Sequence, residues 1–572
     1  MAGRLRRWSS ASCRVNAMTT PTSQDWWEVM PGRWSKETAA LASAGAQWRR
    51  MKPRRSRRET NLRVRVLWPF NGELVRLFVK FPHAYPWTAP TVTAPDGVPG
   101  VSRHIGRDTS VCILADPDAD WLPTMTLAEL LAVQLPQLVA AETGAPGTEA
   151  QEPVSALHGL GSADPVGLLV DSAMVQVPDT VTSGMVVLAV GGSKVSVVCA
   201  IDVVENAAGE PVATSASRWP GLRSSLSVPF QRMDTPVTTA TTADQLWQAA
   251  APDPAKQNRP SKGVEVRLLL VRAEVQYREL GWQWVLMVRG RNSVEVAVGE
   301  PAGPSDMAAR TPGHDGLHHT AVTVIGAGAL GSEIARHLVR AGVGKLTIID
   351  SDVVTAAPGC RQVPPRYTGT AKALAVGHEL MNLNPHVQAY ALTAKSGENV
   401  PPDMLNKYLT ESTVVVDATA QEGHTRWLAM TRPNLPLIVA TATWGAWGGT
   451  LTRLPAEAGG CWCCLAWHRA DRTVPHPPEE PHDSNVSGGC SSPSYTGTGY
   501  DLADIAAHAA RLAVATILGT GRDWDDVHVL SHRDRDGTRR APAWVGQPLS
   551  VHPKCKRRHV VSVPVQLQLS TA

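Results

Sequence analysis

One stretch constrains the fold of this chain more than any other: VTVIGAGALGSEIARHLVRAGVGKLTIIDSD, beginning at Val322. A β-branched run leads into Gly326, Gly328 and Gly331 in GxGxxG spacing, then apolar residues recur at helical period, and a second β-branched run ends at Asp350. This order predicts strand, tight turn, helix and parallel strand, the opening unit of an α/β sheet. Glycines at those positions let a phosphate approach the unpaired amides of the helix N-terminus. The motif alone also suits a nicotinamide or flavin enzyme, with Asp350 as the acid that binds a ribose.

The residues that follow suit a dehydrogenase less well. Asp352, the pair Arg361-Gln362, Lys372, and Asp417 at the end of STVVVDAT supply two cations and further carboxylates to the same pocket. Cations can hold the β- and γ-phosphates of ATP while a carboxylate such as Asp417 holds Mg²⁺, the requirements of attack on an α-phosphate. In order and spacing these residues resemble the ThiF/MoeB/ubiquitin-activating superfamily. The resemblance spans residues 321–572 and implies a Rossmann-like adenylation domain with ATP, Mg²⁺ and a homodimeric assembly. It assigns nucleotide binding to Gly326, Gly328, Gly331, Asp350, Asp352, Arg361, Gln362, Lys372 and Asp417, with Arg361 and Lys372 also catalytic. Pro358 stands where the family has asparagine, and Arg310 is a candidate for the arginine that the family supplies from outside the pocket.

The nine cysteines of a chain expected to be cytoplasmic favour catalysis or metal over disulfides. Cys461 and Cys464, in GGCWCCLAW, sit where the superfamily has the first pair of a structural zinc site, and HPKCKRRH offers Cys555 flanked by His552 and His559. A set of Cys461, Cys464, Cys555 and His552 is sound chemistry for tetrahedral Zn²⁺. Loss of the fourth ligand and ordinary packing is the alternative, and Cys463 reads as packing. Cys490, in the small-residue loop SNVSGGCSSPSYTGTGYD before an amphipathic helix over residues 502–518, stands where activating enzymes carry the cysteine that attacks the adenylate. A buried structural role is its alternative reading, and Cys360 is a weaker contender.

A second signature lies upstream. After a strand hairpin turning at Asn71-Gly72, the segment FPHAYPWTAPTV resembles the FPxxYPxxPPxV segment of ubiquitin-conjugating enzymes, with Ala89-Pro90 replacing the double proline. Cys112 follows in SVCIL, then Trp121-Leu122-Pro123 and a helix capped by Thr126 with Glu129. The resemblance implies an α+β conjugating-like fold with Cys112 as a thioester carrier. The family's His-Pro-Asn is Arg103-His104-Ile105 here, so the asparagine that would steady an oxyanion is missing. His104 reads as structural or assisting, and Asp116, Asp118 or Asp120 as turn residues or as groups that orient an amine.

Composition divides the rest. Residues 1–32 read as a disordered tail with Met18 as an alternative start, 33–141 as the conjugating-like domain and 142–153 as a linker. Residues 154–300 are strand-rich, an inactive adenylation domain being one reading; 301–320 form a second linker and 321–572 the adenylation domain. Residues 34–50 carry apolar residues at helical spacing. The basic run at Arg49 to Arg58 reads as a helix end and linker, because the net charge is only +4 and no nucleic-acid motif accompanies it. No run of about eighteen uncharged apolar residues predicts a membrane span.

The expected class is therefore α/β multidomain. The combined resemblance is to fusions of bacterial ubiquitin-like systems, including anti-phage signalling (CBASS) operons. It implies adenylation of a ubiquitin-like or glycine-tailed protein, transfer from Cys490 to Cys112 and conjugation to a target, such as a cyclic-nucleotide synthase. A sulfur-carrier adenylyltransferase of thiamine or molybdopterin type, a nicotinamide oxidoreductase and a non-catalytic scaffold remain open.

Overall fold

The computed structural model describes residues 26–51, 61–102, 104–106, 109–114, 117–142, 166–192, 197–215, 217, 219–238, 241–250, 265–276, 279–289, 294–311, 313, 316–355, 362–481 and 496–557. Cys490, Arg361, Pro358, Cys360, Arg103, Asp116 and His559 lie outside them. The architecture is mixed α/β, and by compactness the chain divides into residues 1–166 with 228–299, and residues 167–227 with 300–572.

In the first unit, strands Gln47–Arg50, Leu62–Phe70, Glu73–Phe81 and Thr91–Thr93 form an antiparallel sheet in that order. Leu62, Val64, Val66, Trp68 and Phe70 are buried on one face, the period-two pattern of a half-covered sheet. Asn71 and Gly72 make the hairpin turn with φ of 49° and 83°, the left-handed pair that a two-residue turn requires. Helix Pro31–Ser43 is tied to helix Leu127–Glu142 by Glu37, fully buried, whose carboxylate accepts from the Leu127 N–H at 3.0 Å and from Tyr85. Burial raises the Glu37 carboxyl above its usual range.

The Thr126–Glu129 capping box is present, with Glu129 Oε2 accepting from the Thr126 N–H at 2.7 Å and Thr126 Oγ1 from the Glu129 N–H at 3.2 Å. The helical spacing over residues 34–50 is only partly realised. The helix stops at Ser43, Gly45 turns the chain at φ 75°, and residues 47–50 pair with residues 64–67 as a strand. Backbone pairing with a neighbouring strand outweighs the weak local periodicity.

Also in this unit, strands Glu265–Gln276, Glu279–Arg289 and Val294–Pro301 form an antiparallel meander over Leu246 and Trp247 of helix Ala243–Ala249. In the second unit, strands Ser183–Gly192, Val197–Asn206 and Pro211–Thr214 pair antiparallel. The stretch read as one strand-rich middle region thus contributes to both units.

The rest of the second unit is an eight-stranded sheet. Across it run Gln388–Leu392, Lys345–Ile349, Ala321–Ile325, Val414–Asp417, Leu437–Ala442, Gly448–Leu454, Val527–Arg533 and Arg539–Gln547. The first five are parallel and the last three join antiparallel. Helices Ala329–Ala341 and Gly499–Leu518 cover the sheet through Ile334, Leu338, Ile505 and Ala509, all fully buried. From Ala321–Ile325 the chain steps to one side for the next two strands and then returns to the other side for Val414–Asp417. That reversal opens a crevice outside the carboxyl ends of these strands, where α/β sheets bind ligands.

Candidate functional site

The glycine turn sits at that crevice. Gly326 has φ 91°, and a Cβ there would lie 2.9 Å from the Ala418 carbonyl. A Cβ on Gly331 would lie 1.7 Å from the Gly326 oxygen, so only glycine lets the helix start this close to the strand. Gly328 caps helix Ala329–Ala341, and a Cβ on it would meet nothing within 4 Å. That open side, beside the unpaired amides of the helix start, is suited to a phosphate.

Asp350 follows the adjacent strand and braces this turn. Its Oδ2 accepts from the Ala327 N–H at 2.6 Å and its Oδ1 from the Asp352 N–H at 2.7 Å. Lys372, the first residue of helix Lys372–Leu383, donates its backbone N–H to the Asp352 carbonyl and its Nζ to the Asp352 carboxylate, both at 2.8 Å. The Asp352 side chain is 65 % exposed, so of this pair it is the carboxylate open to an incoming cation. The Gln362 carbonyl accepts at 3.1 Å from Arg336, a buried arginine that also binds Glu379 at 2.6 Å.

A cavity of about 330 Å³ is lined by Gly326, Gly328, Asp350, Asp352 and Lys372. Ser396 and His424 also line it, and both escaped the sequence reading. Each lies just beyond a strand that flanks the crevice, so strand order was the signal that could have found them.

Asp417 is placed differently from what its assigned role needs. It is 1 % exposed and does not appear among the described residues lining the cavity. Its Oδ1 accepts from the Thr419 N–H at 3.0 Å and the Thr419 hydroxyl at 2.7 Å; its Oδ2 accepts from the Thr425 hydroxyl at 2.7 Å and faces His424 Nδ1 at 3.2 Å. Burial alone would raise this carboxyl, but the bonds from His424 and Thr419 outweigh it and hold it below its usual range. With four donors around it and no open face, Asp417 does not fit direct Mg²⁺ coordination.

The thiol set is partly assembled. Cys461, Cys464 and Cys555 come together, with Cys461 Sγ 3.7 Å from Cys464 Sγ and 3.8 Å from Cys555 Sγ. A tetrahedral zinc with Zn–S bonds of about 2.3 Å spaces its sulfurs by about 3.8 Å, so these three fit the metal. Burial raises the Cys461 and Cys555 thiols, the latter to about 11; burial also opposes ionisation of Cys464, but backbone groups of Cys461 and His552 outweigh it and lower that thiol. The ring of His552 does not join them. Its Nδ1 accepts from the Lys554 N–H at 3.1 Å and its Nε2 faces Asp471 at 3.0 Å, so both nitrogens that could ligate are already engaged. Cys463 packs against the Met430 sulfur at 3.5 Å.

Upstream, Cys112 is exposed, with its N–H bonded to the His104 carbonyl at 2.8 Å and its Sγ 3.8 Å from the Leu114 carbonyl. Buried Trp121 donates its indole N–H to the Pro86 carbonyl at 2.7 Å, which joins the two proline segments of the signature. Asp120 is exposed.

Residues 306–527 match the ThiF family. The uncharacterized protein y4oA of Sinorhizobium fredii is 25 % identical over 95 % of this chain and 99 % of its own. Adenylyltransferase and sulfurtransferase MOCS3 of Mus musculus is 30 % identical over 30 % of this chain and 35 % of its own. The sulfur carrier protein ThiS adenylyltransferase of Escherichia coli is 31 % identical over 27 % of this chain and 61 % of its own. Among solved structures, E. coli MccB aligns with a TM-score of 0.33 at 16 % identity, over 44 % of this chain and 70 % of that one. No described helix is long and apolar enough to cross a membrane. The C-terminal part of the chain is therefore a ThiF/MoeB-like domain.

Proposed function

We propose that the chain is an ATP-dependent adenylyltransferase acting on the C-terminal carboxylate of a glycine-tailed, ubiquitin-like protein, and that the activated acyl group passes from Cys490 to Cys112 and then to an amine. The observation that carries the first step is the cavity at the sheet's reversal, where Gly328, Asp350, Asp352 and Lys372 meet. The relay rests on the resemblance of the two cysteine segments and on the exposure of Cys112.

ATP lies with its ribose toward Asp350 and its phosphates over Gly328 and the helix amides, with Lys372 offsetting their charge. Asp352 would hold a Mg²⁺ that arrives with ATP, and the ion would supply charge neutralisation for the leaving pyrophosphate. The substrate carboxylate attacks the α-phosphorus, the bond to the bridging oxygen breaks, and acyl-adenylate and pyrophosphate form. The Cys490 thiolate then displaces AMP, the Cys112 thiolate displaces Cys490, and an amine displaces Cys112. In this reading the chain works as a homodimer in anti-phage defence with a cyclic-nucleotide synthase as target, and the CBASS-type resemblance is what supports it.

A sulfur-carrier substrate is the second reading, favoured by the names of the MOCS3 and ThiS-adenylyltransferase relatives. Incubation with MgATP and small proteins ending in glycine distinguishes them. The conjugation reading predicts a band shift reversed by reducing agent, lost in Cys490→Ala and retained in Cys112→Ala. Charging that survives Cys490→Ala but not Cys112→Ala would overturn the order of transfer, and charging that needs neither cysteine would favour the sulfur-carrier reading.

A further inference from the structure

Two buried polar atoms on residues that line the cavity, His424 Nε2 and Ser396 Oγ, have no hydrogen-bond partner among the described residues. The His424 side chain is 8 % exposed. Its other nitrogen faces Asp417 at 3.2 Å, and an ionised carboxylate can only accept, so Nδ1 carries the proton. In the neutral ring Nε2 is then an acceptor. A buried acceptor left unsatisfied is costly, and a ligand donor in the cavity would relieve it.

The Asp417 carboxylate is spent elsewhere. A carboxylate offers about four lone-pair sites, and the Thr419 amide, Thr419 hydroxyl, Thr425 hydroxyl and His424 ring fill them. Mg²⁺ keeps several waters in a near-octahedral shell, which a residue 1 % exposed cannot admit. Asp352, with its side chain 65 % exposed, has room for a hydrated cation.

We propose that Asp417 is a positioning residue and not a metal ligand, and that it acts through His424, whose Nε2 accepts a hydrogen bond from a hydroxyl or amino group of the bound nucleotide. Asp417 fixes the imidazole's tautomer and orientation; the cation is held on the Asp352 side. This assignment rests on the reading of the cavity as an ATP site.

The test measures ATP affinity by calorimetry and Mn²⁺ affinity of the ATP complex by electron paramagnetic resonance, in the full chain. His424→Gln is expected to weaken ATP binding by about threefold to tenfold, the worth of one hydrogen bond. Asp417→Asn offers an amide N–H to Nδ1, inverts the tautomer and produces a similar loss. The double variant loses no more than either single one, because both remove the same contact. Mn²⁺ affinity stays within about twofold in all three and falls in Asp352→Asn. Unchanged ATP affinity in His424→Gln, with the wild type binding ATP, overturns this proposal alone. A loss of Mn²⁺ affinity in Asp417→Asn with ATP affinity retained makes Asp417 a ligand and also overturns it. No ATP binding by the folded wild type overturns the ATP reading, and this proposal with it. Should Asp417→Asn fail to fold, His424→Gln carries the test.

Discussion

Gly331 and Gly328 belong to one motif, yet substitution should affect them in different ways. An alanine Cβ at 331 would sit 1.7 Å from the Gly326 oxygen, so the strand and helix must separate, whereas a Cβ at 328 meets nothing within 4 Å. Gly331→Ala is therefore expected to destabilise the fold by about 1–3 kcal/mol or more, read as a lower denaturant midpoint. Gly328→Ala should change stability by about 1 kcal/mol or less and instead weaken ATP binding, because the methyl group occupies the phosphate's approach. Equal midpoints for the two variants would contradict the geometry. These glycines, Asp350 and Lys372 were legible from sequence because each is fixed by its distance from the same turn. His424 and Ser396 were not, since they reach the cavity only through the order of the strands. His552 misled for a local reason: the Lys554 amide and Asp471 compete successfully for its two nitrogens.

Two elements carry predictions of their own. Helix Trp462–Ala470 and the segment at Cys555, far apart in sequence, meet at the thiol cluster and where the Trp467 ring stacks on His552. Metal analysis of the purified chain should find about one zinc per chain, and Cys461→Ser should remove it and lower the unfolding temperature. Full stability and no zinc in the wild type would favour plain packing. Helix Gly499–Leu518 places His508 4.0 Å from the Trp544 ring, stacked, and 3.2 Å from His528 Nδ1. Burial, with the neighbouring His528, depresses His508 from 6.5 to about 4, and burial lowers His528, His337 and His386 as well. A depressed histidine is neutral in the fold and protonates more readily when unfolded. Its contribution is thus complete above about pH 6.5 and is lost as pH falls toward about 4. Denaturant midpoints should fall between pH 7.5 and pH 5, less steeply in His508→Gln; a midpoint independent of pH would exclude the effect. The strand at residues 47–50 shows the opposite limit of element reading, because the helical pattern there is cut by Gly45 and overruled by pairing with residues 64–67.

At the scale of the whole molecule, the similarity to y4oA runs over 95 % of this chain and 99 % of that protein, so the regions that hold the upstream cysteine segment and the downstream glycine turn both fall within it. That agrees with the proposed succession from adenylation to thioester transfer in one polypeptide. All later steps depend on the first one, which needs ATP in the cavity at the reversal of the sheet. Lys372 separates this chemistry from folding: its side chain is 13 % exposed, but its partner Asp352 is 65 % exposed, and an ion pair with one partner this open adds little stability. Calorimetric titration of wild type and Lys372→Ala with MgATP is the most direct measurement. The expected result is saturable binding by the wild type, weakened by about 10-fold to 100-fold in Lys372→Ala at an unchanged unfolding temperature. A folded wild type that binds no ATP, or a Lys372→Ala variant that binds it equally well, would contradict the account.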